Sequence, residues 1–355
     1  GIIDIIGKYP NPFTGRDASS LYVKQAICDF NDDGTLKKCM PGQAGWSKYK
    51  TWEQRYDFFY RLNNNQVILF IAGTGVGKTV IIPKLLAHYF NYERPIICTT
   101  PRLETTRGTS KFNALLMDVP IIVPDLEKDP SGKVFKKDEN GKEIESGELF
   151  VGYATSQDKY YNDTTKILFC TDGLVKGWIL GNDPFLSKYG GVIIDEAHER
   201  NSNIDILLSL LCNIARQRPE FRIIVMSATV NEQLFINFFR DKQKFGDKFT
   251  MINMSGAPTQ FPVEPRYLTK PIPKNKDVET ALEAVNKIVY DKNSLPGSVL
   301  VFLKGSSEID NMKNLINAKY DDYPEDNKPY PAPLKADGPD IDREISIKKD
   351  GLETA

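Results

Sequence analysis

The sequence predicts an α/β fold centred on a parallel sheet with helices on both faces. Three observations carry that expectation. From about residue 50, short apolar runs alternate with helical stretches. Strand–helix–strand repetition builds parallel sheets covered on both sides. A glycine-rich segment and an acidic segment each follow directly on one of these runs, where such sheets bind ligands, beyond the carboxyl ends of their strands. The chain is 41% hydrophobic and 26% charged, an ordinary globular balance that excludes a wholly disordered chain. No run of roughly eighteen apolar residues occurs, so no transmembrane span and no membrane partner is expected.

Val67–Ile71 is apolar and partly β-branched, as a buried parallel strand should be. Pro95–Cys98, Ile167–Cys170, Val192–Ile194, Ile223–Met226 and Val299–Leu303 read as further strands. Lys78–Phe90 and Ile204–Gln217 read as helices between them. The 355 residues suffice for two or three domains. The expected division is a turn-rich segment over 1–48, a first α/β domain over 49–243 and a second, incomplete domain over 244–355. Residues 125–148 interrupt the pattern. Turns at Asp129-Pro-Ser-Gly132 and Glu139-Asn-Gly141 flank Lys133-Val-Phe-Lys136, which reads as a charged hairpin or a mobile surface loop.

The formal net charge is −1, from 46 Lys and Arg against 47 Asp and Glu. No overall basic field announces nucleic acid, although a local cationic groove suffices to bind it. Five cysteines at wide spacing do not form a secreted disulfide framework. Cys98 and Cys170 lie in apolar runs and read as core thiols. With two histidines in the chain, a Cys/His zinc site is not expected. Gly1-Ile2-Ile3-Asp4 lacks a signal-peptide pattern and an initiator Met. The expectation is an intracellular piece of a longer protein.

Two motifs carry chemistry. Ala72-Gly73-Thr74-Gly75-Val76-Gly77-Lys78-Thr79 follows a strand and opens a helix. Its glycines let backbone N–H groups curl around phosphate oxygens, and the helix N-terminus adds partial positive charge. Lys78 can reach the β- and γ-phosphates, and the Thr79 hydroxyl can ligate Mg²⁺. Ile193-Ile194-Asp195-Glu196-Ala197-His198-Glu199 ends the strand beginning at Val192. Asp195 is placed to hold Mg²⁺ and Glu196 to orient and deprotonate an attacking water. As a plain alternative, acidic residues after a strand also serve as helix caps. One histidine in this stretch cannot supply the paired ligands of a zinc protease.

The pair Gly-x-Gly-Lys-Thr and Asp-Glu-Ala-His resembles the DEAH-box helicases of superfamily 2, whose layout poxvirus and flavivirus helicases share. Further matches follow in order from about 50 to 310. They are Arg55 in Trp52-Glu-Gln-Arg55, Thr99-Thr100-Pro101-Arg102, Val151-Gly152-Tyr153, Thr171-Asp172-Gly173, Ser227-Ala228-Thr229, Phe261-Pro-Val-Glu264, and Leu300-Val-Phe-Leu303 with Glu308-Ile309. The resemblance implies two RecA-like domains, ATP with Mg²⁺, and single-stranded RNA or DNA as the partner. It places Arg102, Thr171, Asp172 and Gly173 along the strand groove, mostly on phosphates, which position without reading sequence. It gives Ser227, Ala228 and Thr229 a role in transmitting nucleotide state, and His198 a role in coupling the ATP site to them or to the second domain. Tracking would run 3′ to 5′.

Tyr9–Arg16, with Cys28 and Cys39 further on, resembles the two-cysteine adaptor segments of large DNA viruses; a turn-rich arm is the alternative. A viral source would put the protein in infected-cell cytoplasm or the virion. The family's closing Gln-x-x-Gly-Arg-x-Gly-Arg pattern is absent from the sequence. Arginine fingers contribute roughly 10³–10⁵ in rate. The expectation is therefore nucleotide binding with poor hydrolysis and no unwinding by this chain alone. Two rival functions stand beside the helicase: an ATP-driven translocase or remodeller, and a non-catalytic nucleic-acid-binding module.

Overall fold

The computed structural model describes residues 28–30, 36–39, 49–117, 135–137, 143–145, 149–228, 232–240, 245–257, 265–290, 298–323 and 328–333. The chain divides into two compact units, Gly1–Val263 and Glu264–Ala355.

The first unit opens with an antiparallel pair, β1 (Cys28–Phe30) and β2 (Leu36–Cys39). Its main sheet has eight strands: β3 (Val67–Ala72), β4 (Ile96–Thr100), β7 (Val151–Ala154), β8 (Lys159–Tyr160), β9 (Ile167–Thr171), β10 (Gly191–Ile194), β11 (Arg222–Ser227) and β12 (Phe249–Met254). Their order across the sheet is β12-β3-β11-β10-β4-β9-β7-β8. All neighbours are parallel except β7 and β8. The five expected strands of this unit form within a residue or two of their expected ends. β12 was not foreseen. It pairs with β3 and belongs to the first compact unit, which runs to Val263.

Every residue of β3 is buried, so the strand needs apolar cover on both faces. Ile68 and Phe70 join one core with Phe58, Phe59 and Leu62 of α1 (Arg55–Asn64) and Ile81, Ile82, Leu85 and Leu86 of α2 (Lys78–Tyr89). Val67, Leu69 and Ile71 join a second core on the other face. It holds Val175 and Ile179 of α4 (Asp172–Leu180), Ile204, Leu207 and Leu211 of α5 (Ser202–Gln217) and Phe239 of α6 (Glu232–Arg240). The spacing 204, 207, 208, 211 is one helical stripe. Asn201 starts α5 by accepting the Ile204 N–H at 2.9 Å, a cap of about 1 kcal/mol. Truncating a fully buried leucine such as Leu86 costs about 2–5 kcal/mol in such surroundings.

α3 (Leu103–Leu116) follows β4. Pro83 lies inside α2 and offers no N–H to the Thr79 carbonyl one turn back. The Asn113 side chain of α3 donates to that carbonyl at 3.3 Å, tying α3 to the helix that begins at the glycine-rich loop. β5 (Phe135–Lys137) and β6 (Glu143–Glu145) pair antiparallel, Lys136 opposite Ile144, as the hairpin reading expects; the rest of 125–148 lies outside the described residues.

In the second unit, α7 (Asp277–Tyr290) and α8 (Ser306–Lys319) pack around Val278, Val285, Met312, Ile316 and Tyr320. The strand expected at Val299–Leu303 carries no pairing among the described residues. It keeps a period of two: Val301 and Leu303 pack on the helical core, while Leu300 and Phe302 are 72% and 86% exposed. A strand needs a hydrogen-bonded neighbour, and the described residues of this unit supply none. Phe261–Glu264 lies outside the described residues.

Candidate nucleotide and strand site

Parallel strands end together. The carboxyl ends of β3, β11, β10, β4 and β9 therefore bring five sequence-distant segments to one edge of the sheet. After β3, the loop turns through Gly75 at φ 78° and Gly77 at φ 88°, a region that side chains disfavour. Gly77 meets a second constraint, because a Cβ there would lie 2.5 Å from the Tyr49 Cβ. The lead-in segment braces the loop from this side. Thr51, fully buried, donates to the Val76 carbonyl from its backbone N–H at 3.1 Å and from its hydroxyl at 2.8 Å. Arg55 stacks over Trp52 and Tyr56 at 4.7 and 4.4 Å. Lys78 is 5% exposed, and its Nζ donates to the carbonyls of Ala72 at 2.6 Å and Gly73 at 2.9 Å. Burial lowers its pKa, against the opposing pull of Asp195 and Glu196.

After β10, Asp195 is 2% exposed. The Thr79 hydroxyl donates to its Oδ2 at 2.6 Å, and the Glu196 N–H donates to its Oδ1 at 2.9 Å. Burial pushes the Asp195 carboxyl up to about 6, with Glu196 adding to the rise and the two hydrogen bonds and Lys78 opposing it. A carboxylate held out of water in this way favours a cation. The donors gathered here are all oxygen: the Thr79 hydroxyl and the carboxyls of Asp195 and Glu196. That set suits Mg²⁺, which takes one or two carboxylates and completes its shell with water and phosphate. No cage of three or more His, Cys, Asp or Glu occurs among the described residues.

Glu196 at φ 51° and Arg200 at φ 47° bracket a short turn, Ala197–Glu199. Left-handed backbone costs such residues about 1–2 kcal/mol. The Asp195 carboxylate bond to the Glu196 N–H helps to hold the turn. His198 Nδ1 accepts the Ala228 N–H at 3.3 Å and lies 3.4 Å from Glu196 Oε2. A nitrogen that accepts from Ala228 has no proton for Glu196, so the ring links the acidic turn to the end of β11 through Ala228. Ser227, the last residue of β11, is buried and stands opposite Ile71 of β3. Thr229 lies outside the described residues.

The ends of β4 and β9 differ in character. The Arg102 side chain, just before α3, is 71% exposed, and its guanidinium lies 3.5 Å from Glu199 Oε1. Thr171 ends β9 and precedes α4 without a side-chain cap. Gly173 faces Asn203, whose Nδ2 would lie 3.5 Å from a Cβ added there. Asp172 departs from its expected place along the groove. It is 2% exposed, and burial raises its pKa, opposed by the nearby side chains of Thr99 and Asn201. Neither carboxylate oxygen reaches full hydrogen-bond geometry. A buried carboxylate cannot reach a strand, and its charge would repel phosphate. Of the other three, Arg102 is exposed, while Thr171 and Gly173 are half-buried.

A cavity of about 240 Å³ joins the site to α3. Thr79, Asp195 and Glu196 line it together with Thr105, Gly108, Thr109 and Phe112. The family model described as the type III restriction enzyme res subunit matches residues 38–232, more than half the chain. The chain belongs to this family. With Asp195-Glu196-Ala197-His198 at its acidic turn, it is a DEAH-type superfamily 2 member.

Relatives agree. A protein of Acanthamoeba polyphaga mimivirus that carries the name of an ATP-dependent RNA helicase is 29% identical over 325 residues, covering 90% of this chain and 39% of that one. A Schizosaccharomyces pombe protein named as a pre-mRNA-splicing factor and ATP-dependent RNA helicase is 31% identical, covering 72% of this chain and 34% of its own. A Caenorhabditis elegans protein named as an ATP-dependent RNA helicase is 32% identical, covering 74% and 32%. The chain thus spans 32–39% of the length of these relatives.

Three residues of this DEAH-type chain escaped sequence reasoning. Thr51 sits in an unremarkable lead-in, and nothing local marks its bond to Val76. Asn113 answers a vacancy that Pro83 creates one helix away. Phe112 could have been noticed as an aromatic on the outer side of a helix, since it is 39% exposed.

Proposed function

We propose that this chain is the ATP-hydrolysing front part of a helicase that couples turnover to movement along a single strand, 3′ to 5′, and to duplex unwinding. The observation that carries the reading is the 2.6 Å bond from Thr79 to Asp195. It joins the glycine-rich loop after β3 to the acidic turn after β10, two strands separated in the sheet by β11. Magnesium arriving with ATP would be held by Thr79, Asp195 and Glu196 and would offset phosphate charge. Lys78 leaves the carbonyls of Ala72 and Gly73 for the β- and γ-phosphates. Loop N–H groups from Gly73 to Thr79 cradle the phosphates, which glycine at 75 and 77 permits. Glu196 orients the attacking water and accepts its proton. The Phe112 ring shares the cavity with these groups and offers a stacking face to the base.

Arg102, Thr171 and Gly173 contact the strand, chiefly at phosphates. His198 and Ala228 relay the nucleotide state to the second unit, read as the start of a second RecA-like domain. The names of the relatives favour RNA over DNA as the track. No helix among the described residues is long and apolar enough to cross a membrane. The mimivirus relative favours a viral setting, acting in infected-cell cytoplasm or the virion.

The test is steady-state ATP turnover with Mg²⁺, alone and with single-stranded RNA or DNA. Stimulation by RNA supports the reading and names the track. Strand-stimulated turnover without duplex unwinding turns it into a translocase. ATP binding without turnover, in the chain extended to the relatives' length, leaves a binding module.

A further inference from the structure

The antiparallel register of β1 and β2 sets Cys28 directly opposite Cys39, with Asp29 opposite Lys38 at the next position. Opposed residues of an antiparallel pair have Cα atoms about 4.5 or 5.5 Å apart, depending on the kind of pair. A disulfide spans Cα separations of about 4.4–6.8 Å, so either kind of pair satisfies it. The other cysteines are not so placed. Cys98, Cys170 and Cys212 are buried thiols. In the β4–β9 ladder Cys98 stands opposite Phe169, and Cys170 opposite Thr99.

We infer that Cys28 and Cys39 form a redox clip, a reversible cross-strand disulfide that closes the hairpin of the N-terminal segment. Two features beyond the register support it. The strands have three and four residues, and their register shifts between Asp29 and Phe30. An isolated hairpin is marginal in water, so a covalent staple at this position decides whether it persists. Asp33-Gly34, a strong turn dipeptide, stands midway between the two cysteines in the sequence, which favours the same pairing.

The oxidant is a small-molecule disulfide such as oxidised glutathione. The Cys39 thiolate attacks the glutathione disulfide, forms a mixed disulfide and expels one glutathione thiolate. The Cys28 thiolate then attacks the Cys39 sulfur and expels the second. Two protein thiols lose two protons and two electrons, and one glutathione disulfide becomes two thiols. Reduced glutathione reverses both steps.

The test equilibrates the full chain in graded mixtures of reduced and oxidised glutathione, quenches it in acid, alkylates it and maps the peptides by mass. The expected product is an intramolecular Cys28–Cys39 link that exceeds the mixed disulfides at these positions by about tenfold or more at millimolar glutathione. Cys98, Cys170 and Cys212 should remain thiols. In C28S, Cys39 should accumulate as the glutathione adduct. Independent glutathionylation of both cysteines, links between chains, or two thiols still alkylated in the oxidised mixture would each overturn the inference. The wild-type map depends on no variant's folding.

Discussion

Along one sheet edge, the ends of β3, β11 and β10 differ sharply from those of β4 and β9. The first group holds Lys78, Thr79, Asp195 and Ser227, mostly buried, with Lys78 held by the Ala72 carbonyl at 2.6 Å and Thr79 bonded to Asp195 at 2.6 Å. The second presents Arg102, exposed and held by one 3.5 Å ion pair to Glu199. Exposed pairs of this kind contribute about 0–1 kcal/mol, so Arg102 is released at little cost. The difference matches the ligands proposed for each side. A nucleotide binds in one geometry and rewards preorganisation. A strand must slide, and mobile cations that meet phosphate without fixed geometry permit that. Glu199 lies three residues after Glu196, in the turn that separates the two halves. Loss of its partner to a phosphate would be felt next to Glu196, the proposed general base.

The sharpest break in this comparison is Glu196→Gln. In the chain extended to the relatives' length, turnover should fall by about 10²–10⁴, while ATP and strand affinities stay within a few-fold. Full turnover in single-turnover hydrolysis assays would remove Glu196 from the chemistry. Next is Lys78→Ala, which removes a charged donor to phosphate. ATP affinity should drop by about 10- to 100-fold, measured by equilibrium binding of a fluorescent nucleotide, and strand affinity should not change. Equal losses for both ligands would mean that the two halves are one structural unit. Arg102→Ala acts on the other half. Strand binding should weaken for all sequences alike, and the slope of log affinity against log salt should become shallower by about one. An unchanged slope argues against a phosphate contact. Smallest is Glu199→Gln. Freed from its partner, Arg102 should bind single strands a few-fold more tightly at low salt, an effect that fades as salt rises. Weaker binding would make Glu199 part of the strand site instead of a counter-charge.

Much of the ATP half was legible because its information is local. Glycine at 75 and 77 is demanded by positive φ at those positions, and Lys78-Thr79 must open a helix for the anion site to form. Asp195 and Glu196 end an apolar strand, and a strand end is recognisable by itself. The strand half was legible only through resemblance, and Asp172 shows the limit. Thr-Asp-Gly after a strand reads as an outward turn, yet Asp172 lies under the start of α5, which begins thirty residues later. Val299–Leu303 shows another limit, since alternation declares a strand's two faces but not whether a neighbour exists to pair with it.

From the sequence alone came the fold class, the phosphate loop, the acidic pair and the family. The loop and the acidic pair each depend on residues within about eight positions of one another, where chain geometry dictates what touches, and the fold class and family on the order in which such local runs recur. Tertiary structure decided the order β12-β3-β11-β10-β4-β9-β7-β8, the reach of Thr79 across β11 to Asp195, the brace from Thr51 and Tyr49, and the opposition of Cys28 to Cys39. Those contacts follow from how twisted parallel strands stack side by side and which helix covers which face. No local pattern encodes that choice, because many arrangements bury the same apolar stripes and only the packed whole selects one.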